Sequence, residues 1–112
     1  MKIHKAEFVR QDERGSLVQL ATGLWKQINV LFIKRDNTFG GHFHKEKTEL
    51  FVVMKGEIQV QITKKKRGRV YHFKAGDSFI IEPLDKHTIL AVEDSQMVEL
   101  ITEEYDIGDT YV

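Results

Sequence analysis

Short apolar runs alternate with polar breaks along this chain, and no window of a dozen residues carries the i, i+3, i+4 apolar spacing of an amphipathic helix. The runs recur about every 8 to 12 residues and are split by Gly, Asp, Asn and Lys, the pattern of an all-β sandwich or barrel. It predicts strands over 3–9, 16–21, 27–34, 40–44, 49–54, 57–63, 70–74, 78–81, 87–92 and 97–102. Over 57–63, Ile58, Val60 and Ile62 take one face and Glu57, Gln59, Gln61 and Thr63 the other, so one face is core and one is wet. Segments 49–54 and 88–92 are apolar on both faces, and a strand dry on both sides is covered on both sides. In a chain of 112 residues the second cover is expected to be another copy in a homodimer, with an internal cover as the alternative. Lys55-Gly56 reads as a tight turn between paired strands. Lys64-Lys65-Lys66-Arg67-Gly68-Arg69 reads as a solvated hairpin tip, with phosphate contact as the alternative. The one proline, Pro83, falls between strands, where its missing N–H costs nothing.

Composition narrows the class. The length fits a single domain over 1–112. Lysine plus arginine equals aspartate plus glutamate at 17 each, which argues against nucleic acid as a partner and leaves little charge repulsion against self-association. The absence of cysteine suits a reducing cytoplasm. The first residues lack the apolar core of a signal peptide, and no apolar run approaches the roughly 20 residues that span a bilayer. A cytoplasmic protein with no membrane partner is expected.

The chemistry concentrates in Gly40-Gly41-His42-Phe43-His44. Residues i and i+2 of a strand share a face, so His42 and His44 can aim both imidazoles at one point. Glu49 offers a hard oxygen and His87 a third ring nitrogen. Three neutral imidazoles and one carboxylate suit a divalent ion such as Zn, Mn, Fe or Ni, with positions left for water or substrate.

These residues resemble the motifs of the cupin family. His42-x-His44, four residues, Glu49, six residues and Gly56 match the latter part of its first motif without a gap. Gly76-Asp77, Pro83 and His87, eleven residues after Gly76, match its second. Asp36 stands for the opening glycine of the first motif, Pro83 lies one place late, Asp85 stands where a glycine is usual and Ala91 where an asparagine often follows. The resemblance covers roughly 26–102. It implies a small jelly-roll β-barrel, commonly dimeric, holding a metal through His42, His44, Glu49 and His87. Asp12-x-Arg14-Gly15-x-Leu17, with Gly41-His42-x-His44, is similar to cupins of nucleotide-sugar biosynthesis that epimerise or ketoisomerise dTDP-4-keto sugars. Glu104-Tyr105-Asp106-x-x-Asp109-Thr110-Tyr111 looks like the end of the cupin domain fused to certain capsular-polysaccharide nucleotide-sugar reductases.

The expected function is metal-dependent or histidine-assisted isomerisation or epimerisation of a nucleotide-linked keto sugar in polysaccharide biosynthesis. The alternatives are an Fe(II) dioxygenase and a non-catalytic cupin that binds a metal or small molecule. With free imidazoles, His42 or His44 serves as the acid–base group; with the imidazoles bound to metal, that role passes to Tyr105 or Tyr111 of the tail. Arg14 is a candidate clamp for a substrate phosphate, with an ion pair to Asp12 or Glu13 as the alternative. Arg35, in the loop before the histidine strand, is a second. Trp25, Phe32, Phe39, Phe43 and Phe51 read as core aromatics, with stacking on a base or sugar as the alternative. His4 and His72 read as structural or exposed.

Overall fold

Strands account for nearly all of the regular structure, as the alternating pattern requires; the computed structural model describes residues 1–23, 25–103 and 107–112. In chain order they are β1 Lys2–His4, β2 Phe8–Asp12, β3 Gly15–Gln19, β4 Gln27–Ile33, β5 Thr38–His42, β6 Glu49–Lys55, β7 Glu57–Lys64, β8 Arg67–Lys74, β9 Ser78–Ile81, β10 Lys86–Ala91 and β11 Ser95–Ile101. Among the described residues one 3-10 turn, Ile107–Asp109, follows. All pairings are antiparallel. One sheet has the order β1-β9-β6-β11-β4, a second β5-β10-β7-β8, and β2 and β3 form a separate ribbon. The two larger sheets make the expected jelly roll. Among the described residues no helix is long and apolar enough to cross a membrane.

The core lies between the two sheets. Phe51, Val53, Phe79, Ile81 and Met97 from the first meet Ile58, Val60, Ile62, Phe73, Ile89 and Ala91 from the second. Phe79 stacks between Phe51 and Phe73, at centroid distances of 5.2 and 4.5 Å. Each such side chain contributes about 1.5–3 kcal/mol relative to exposure. These residues hold the barrel shut at one end and leave the other end for polar groups.

Three expectations change. Segment 3–9 is two strands, because β1 joins the barrel through β9 while β2 leaves it to pair with β3. Phe51 is core, but Phe32 is 70% exposed and Phe39 41% exposed, so neither is a core aromatic. The third concerns β4, whose alternation runs opposite to the usual rule. Its inward positions are Gln27, Asn29, Leu31 and Ile33, whereas Ile28, Val30 and Phe32 point outward at 62%, 58% and 70% exposure. Glu99 of β11, paired with Asn29, also faces inward. Polar residues line this part of the barrel and apolar ones coat its outside.

Candidate metal centre

Two strands bring the histidines together. In the β5–β10 ladder His42 lies directly across from His87, next to a bulge between His87 and Thr88. That bulge draws the strands close: a Cβ at Gly40, whose φ is +101°, would lie 2.5 Å from the His87 carbonyl oxygen. Glycine is the residue that permits both this φ and this approach. His44, just past the end of β5, is held from two sides. Its carbonyl accepts the Leu84 N–H at 2.7 Å, and its ring Nδ1–H donates to the Asp109 carbonyl at 2.7 Å. The His87 Nδ1–H donates to the Asp85 carbonyl at 3.0 Å. Asp85, where the cupin motif usually has glycine, is itself buried, and its carboxylate accepts the Glu82 amide at 3.1 Å. Both rings are thereby oriented by backbone oxygens that can only accept, which leaves their Nε2 atoms as lone-pair donors.

The three imidazoles converge, with one candidate ligand atom from each of His42, His44 and His87 within 4.8 Å of the others. Ring centroids are 4.7 Å apart for His42–His44 and 4.8 Å for His42–His87. Glu49, on the facing sheet, places Oε1 at 3.0 Å from His44 Nε2 and 3.8 Å from His87 Nε2. The His44–Glu49 contact is short but poorly aligned as a hydrogen bond, and both atoms are buried without another partner. With Nδ1 already donating, a neutral His44 ring has no second N–H to give. Two lone pairs at 3.0 Å repel unless a positive centre, a ring proton or a metal cation, lies between them. The donor set fits a divalent ion on that ground.

The electrostatics agree. Burial, reinforced by His87 and His44, pushes His42 down to about 4, so its ring is neutral at pH 7. Burial also lowers His87, although Glu49 opposes this. Burial pushes Glu99 up, as does its hydrogen bond to Glu49, to about 8. Glu49 is held below the ordinary carboxylate range, against the effect of burial, by His44 and by the Glu99 carboxyl. The two acids therefore share one proton near neutrality, with Glu99 as donor.

These groups open into a cavity of about 410 Å³ that also carries Lys47, Phe39 and Thr110 on its wall. A hydrogen-bonded row runs along it: Gln27 Nε2–H donates to Asn29 Oδ1 at 3.2 Å and Asn29 Nδ2–H to Glu99 Oε1 at 2.9 Å. The sequence reading missed Gln27, Asn29, Lys47, Glu99 and Asp109. The alternation of Ser95, Met97, Glu99 and Ile101 was the signal that could have found Glu99. Of the expected site residues, His42, His44, Glu49 and His87 come together. Arg14 and Arg35 do not line this cavity: Arg14, 76% exposed, pairs with Asp12 at 2.7 Å on the β2–β3 ribbon, and Arg35 is exposed in the β4–β5 turn. Tyr105 lies outside the described residues. Tyr111 stacks on Phe43 at 5.3 Å. His4 donates to or accepts no site group and instead bonds the Leu20 carbonyl at 2.7 Å, and His72 is exposed on β8.

The family model described as polysaccharide biosynthesis C-terminal domain matches residues 10–109. No curated protein matches the chain by sequence. Among solved structures the chain is similar to the WlaRB TDP-quinovose 3,4-ketoisomerase of Campylobacter jejuni, at 18% identity and a TM-score of 0.87, over 98% of this chain and 90% of that one. It is similar to the QdtA sugar 3,4-ketoisomerase of Thermoanaerobacterium thermosaccharolyticum in complex with TDP, at 17% identity and a TM-score of 0.84, over 96% and 84%. A QdtA variant has also been solved with TDP-4-keto-6-deoxyglucose. The capsular polysaccharide assembling protein CapF of Staphylococcus aureus matches at 24% identity and a TM-score of 0.67, over 93% of this chain and 33% of that one. These likenesses show a shared cupin fold.

Proposed function

This chain belongs to the polysaccharide biosynthesis C-terminal domain family, and from that premise we propose that it is an isomerase or epimerase acting on a nucleotide-linked keto sugar. His42, His44, Glu49 and His87 hold a divalent metal ion in this reading. The observation that carries it is the convergence of three imidazoles and a carboxylate on the wall of a cavity of about 410 Å³, within the range that takes a small ligand. The ligands of the QdtA complexes, TDP and TDP-4-keto-6-deoxyglucose, support the substrate class.

A bound divalent ion supplies Lewis-acid polarisation of a sugar carbonyl. The rest falls to the chain. The reaction removes a proton from the carbon beside the carbonyl and returns one to the former carbonyl carbon (isomerisation) or to the opposite face of the same carbon (epimerisation), which needs a positioned acid–base group. His42 or His44 takes that role where its lone pair is free; where all three rings are bound, it passes to Tyr105 or Tyr111. Gln27, Asn29 and Glu99 present amide and carboxyl groups to the sugar hydroxyls, and the apolar walls at Phe39 and Ile89 exclude water.

The test is incubation of the purified chain with TDP-4-keto-6-deoxyglucose in D2O, followed by proton NMR. Deuterium entry beside the carbonyl and a new keto sugar are expected for the wild type and not for His44→Asn. No exchange by the wild type, with or without added metal, would overturn the reading.

We propose further that the working form is a homodimer. The outward Ile28, Val30 and Phe32 of edge strand β4 are exposed, as are Phe8, Val9, Leu17 and Val18 of the β2–β3 ribbon. A two-stranded ribbon alone is marginal in water, and an apolar edge strand invites pairing. Burying these side chains would remove roughly 500–700 Å² per copy, close to the ~800 Å² of a standard interface.

A further inference from the structure

The segment after the last strand, Ile107–Tyr111, is tied to the stretch that carries His44 although 65 residues separate His44 from Asp109. We propose that Asp109 is a positioning residue for His44: its carboxylate clamps this segment onto the chain after His44, and its own carbonyl then takes the ring Nδ1–H and holds Nε2 in the cavity as a lone-pair donor.

The carboxylate of Asp109, a buried side chain, accepts the Lys45 amide at 2.8 Å and the Glu46 amide at 3.3 and 3.2 Å. An acid accepting backbone N–H groups in this way makes strong, charge-assisted bonds of fixed direction. The clamp fixes where the Asp109 backbone lies, and its carbonyl sits 2.7 Å from His44 Nδ1. A second tie secures the same segment. Phe43 and Tyr111 exchange N–H···O bonds of 2.9 and 3.0 Å, their rings stack, and Lys45 Nζ stands 4.3 Å from the Tyr111 centroid.

The histidines differ in this respect. His87 is oriented from two residues away, by Asp85. His44 is oriented instead from 65 residues away, by the Asp109 carbonyl, while the Asp109 carboxylate takes the Lys45 and Glu46 amides. Its tautomer is therefore set by a distant segment, and that tautomer decides whether its Nε2 can take a cation or a proton at all.

The test reads the ring directly. In the metal-free chain with 15N-labelled histidine, the wild-type His44 is expected as the Nδ1–H form, with a slowly exchanging Nδ1 proton. Asp109→Ala is expected to give His44 a mixture of tautomers while His87 keeps its own signal. Asp109→Asn, which retains an acceptor oxygen for the Lys45 amide, is expected to restore the wild-type signal. A wild-type His44 with no proton at Nδ1 would overturn the proposal, and so would an Asp109→Ala spectrum unchanged at His44. The wild-type measurement stands even where Asp109→Ala does not fold. A second readout, which rests on the metal reading above, is zinc affinity: about 10- to 100-fold weaker in Asp109→Ala and near wild type in Asp109→Asn. If the wild type binds no metal, that reading fails while the tautomer experiment still decides this one.

Discussion

Gly40 shows how much of the site one hydrogen atom controls. Any Cβ there would meet the His87 carbonyl oxygen at 2.5 Å, and the φ of +101° already disfavours an L side chain. Gly40→Ala should push β5 away from β10 and separate His42 from His87. It is expected to cost about 2–4 kcal/mol in urea unfolding, the sum of a left-handed backbone and an overpacked contact, and to lower bound metal below one per chain. The ligands themselves should behave differently. His44→Ala and Glu49→Ala are expected to lose stoichiometric metal, read by elemental analysis of untagged protein, with the far-UV circular dichroism unchanged. The reason is that neither side chain belongs to the cluster around Phe51, Phe79 and Met97. Metal content equal to wild type in both variants would remove them as ligands.

Strand β4 carries two tasks on its two faces. Gln27 and Asn29 build the polar cavity wall, and Ile28, Val30 and Phe32 coat the outside. Changes on the two faces should therefore separate. Val30→Asp is expected to shift the chain toward monomer in light scattering, raising the dimer dissociation constant on the order of tenfold or more, while leaving metal content alone. Asn29→Leu removes the partner of Glu99 and should leave the oligomeric state alone while weakening sugar-nucleotide binding. The ribbon belongs to the same argument. Glu7 closes its base by accepting from Gln19 Nε2–H at 3.1 Å and the Thr22 N–H at 2.9 Å.

For the molecule as a whole, stability against pH follows from groups whose shifts oppose one another. His42 and His87 have folded values below 6.5, so the unfolded chain binds more protons and stability rises as pH climbs toward 6.5. Glu99 has a folded value near 8, above its ordinary 4.5, so the folded chain binds the extra proton and stability falls as pH rises toward 8. Glu49, held low, is ionised in both states once pH is well above 4.5 and adds no slope there. Below 6.5 the histidines oppose Glu99; above it the effect of Glu99 prevails. The metal-stripped chain is therefore expected to lose stability as pH rises above 6.5 in thermal melts with chelator present. Glu99→Gln should flatten the decline above that pH, and an unchanged decline would show that Glu99 is already ionised.

The strand pattern, the turn at Gly56 and the shared facing of His42 and His44 were legible in the chain because each rests on local rules, while Glu49 and His87 were joined to them by the match to the cupin motifs. Alternation follows from the pleat, a left-handed turn from glycine, and shared facing from i, i+2 spacing. The inverted face of β4 was not legible, since alternation tells which residues share a face but not which face is inside. That depends on what the opposite sheet offers to cover. The inward Glu99 and the buried Lys47 were hidden for the same reason: a charge is recognisable as buried only when its partners, here Glu49 and Asn29, are known in space. Arg14 could be read either as a clamp or as an ion pair, and in the structure it pairs with Asp12 at 2.7 Å. The hold of Asp109 on His44 spans 65 residues, so no spacing rule reaches it. The pairing of His42 with His44 followed from short-range geometry; the orientation of the imidazoles came from contacts that exist only once the sheets have closed.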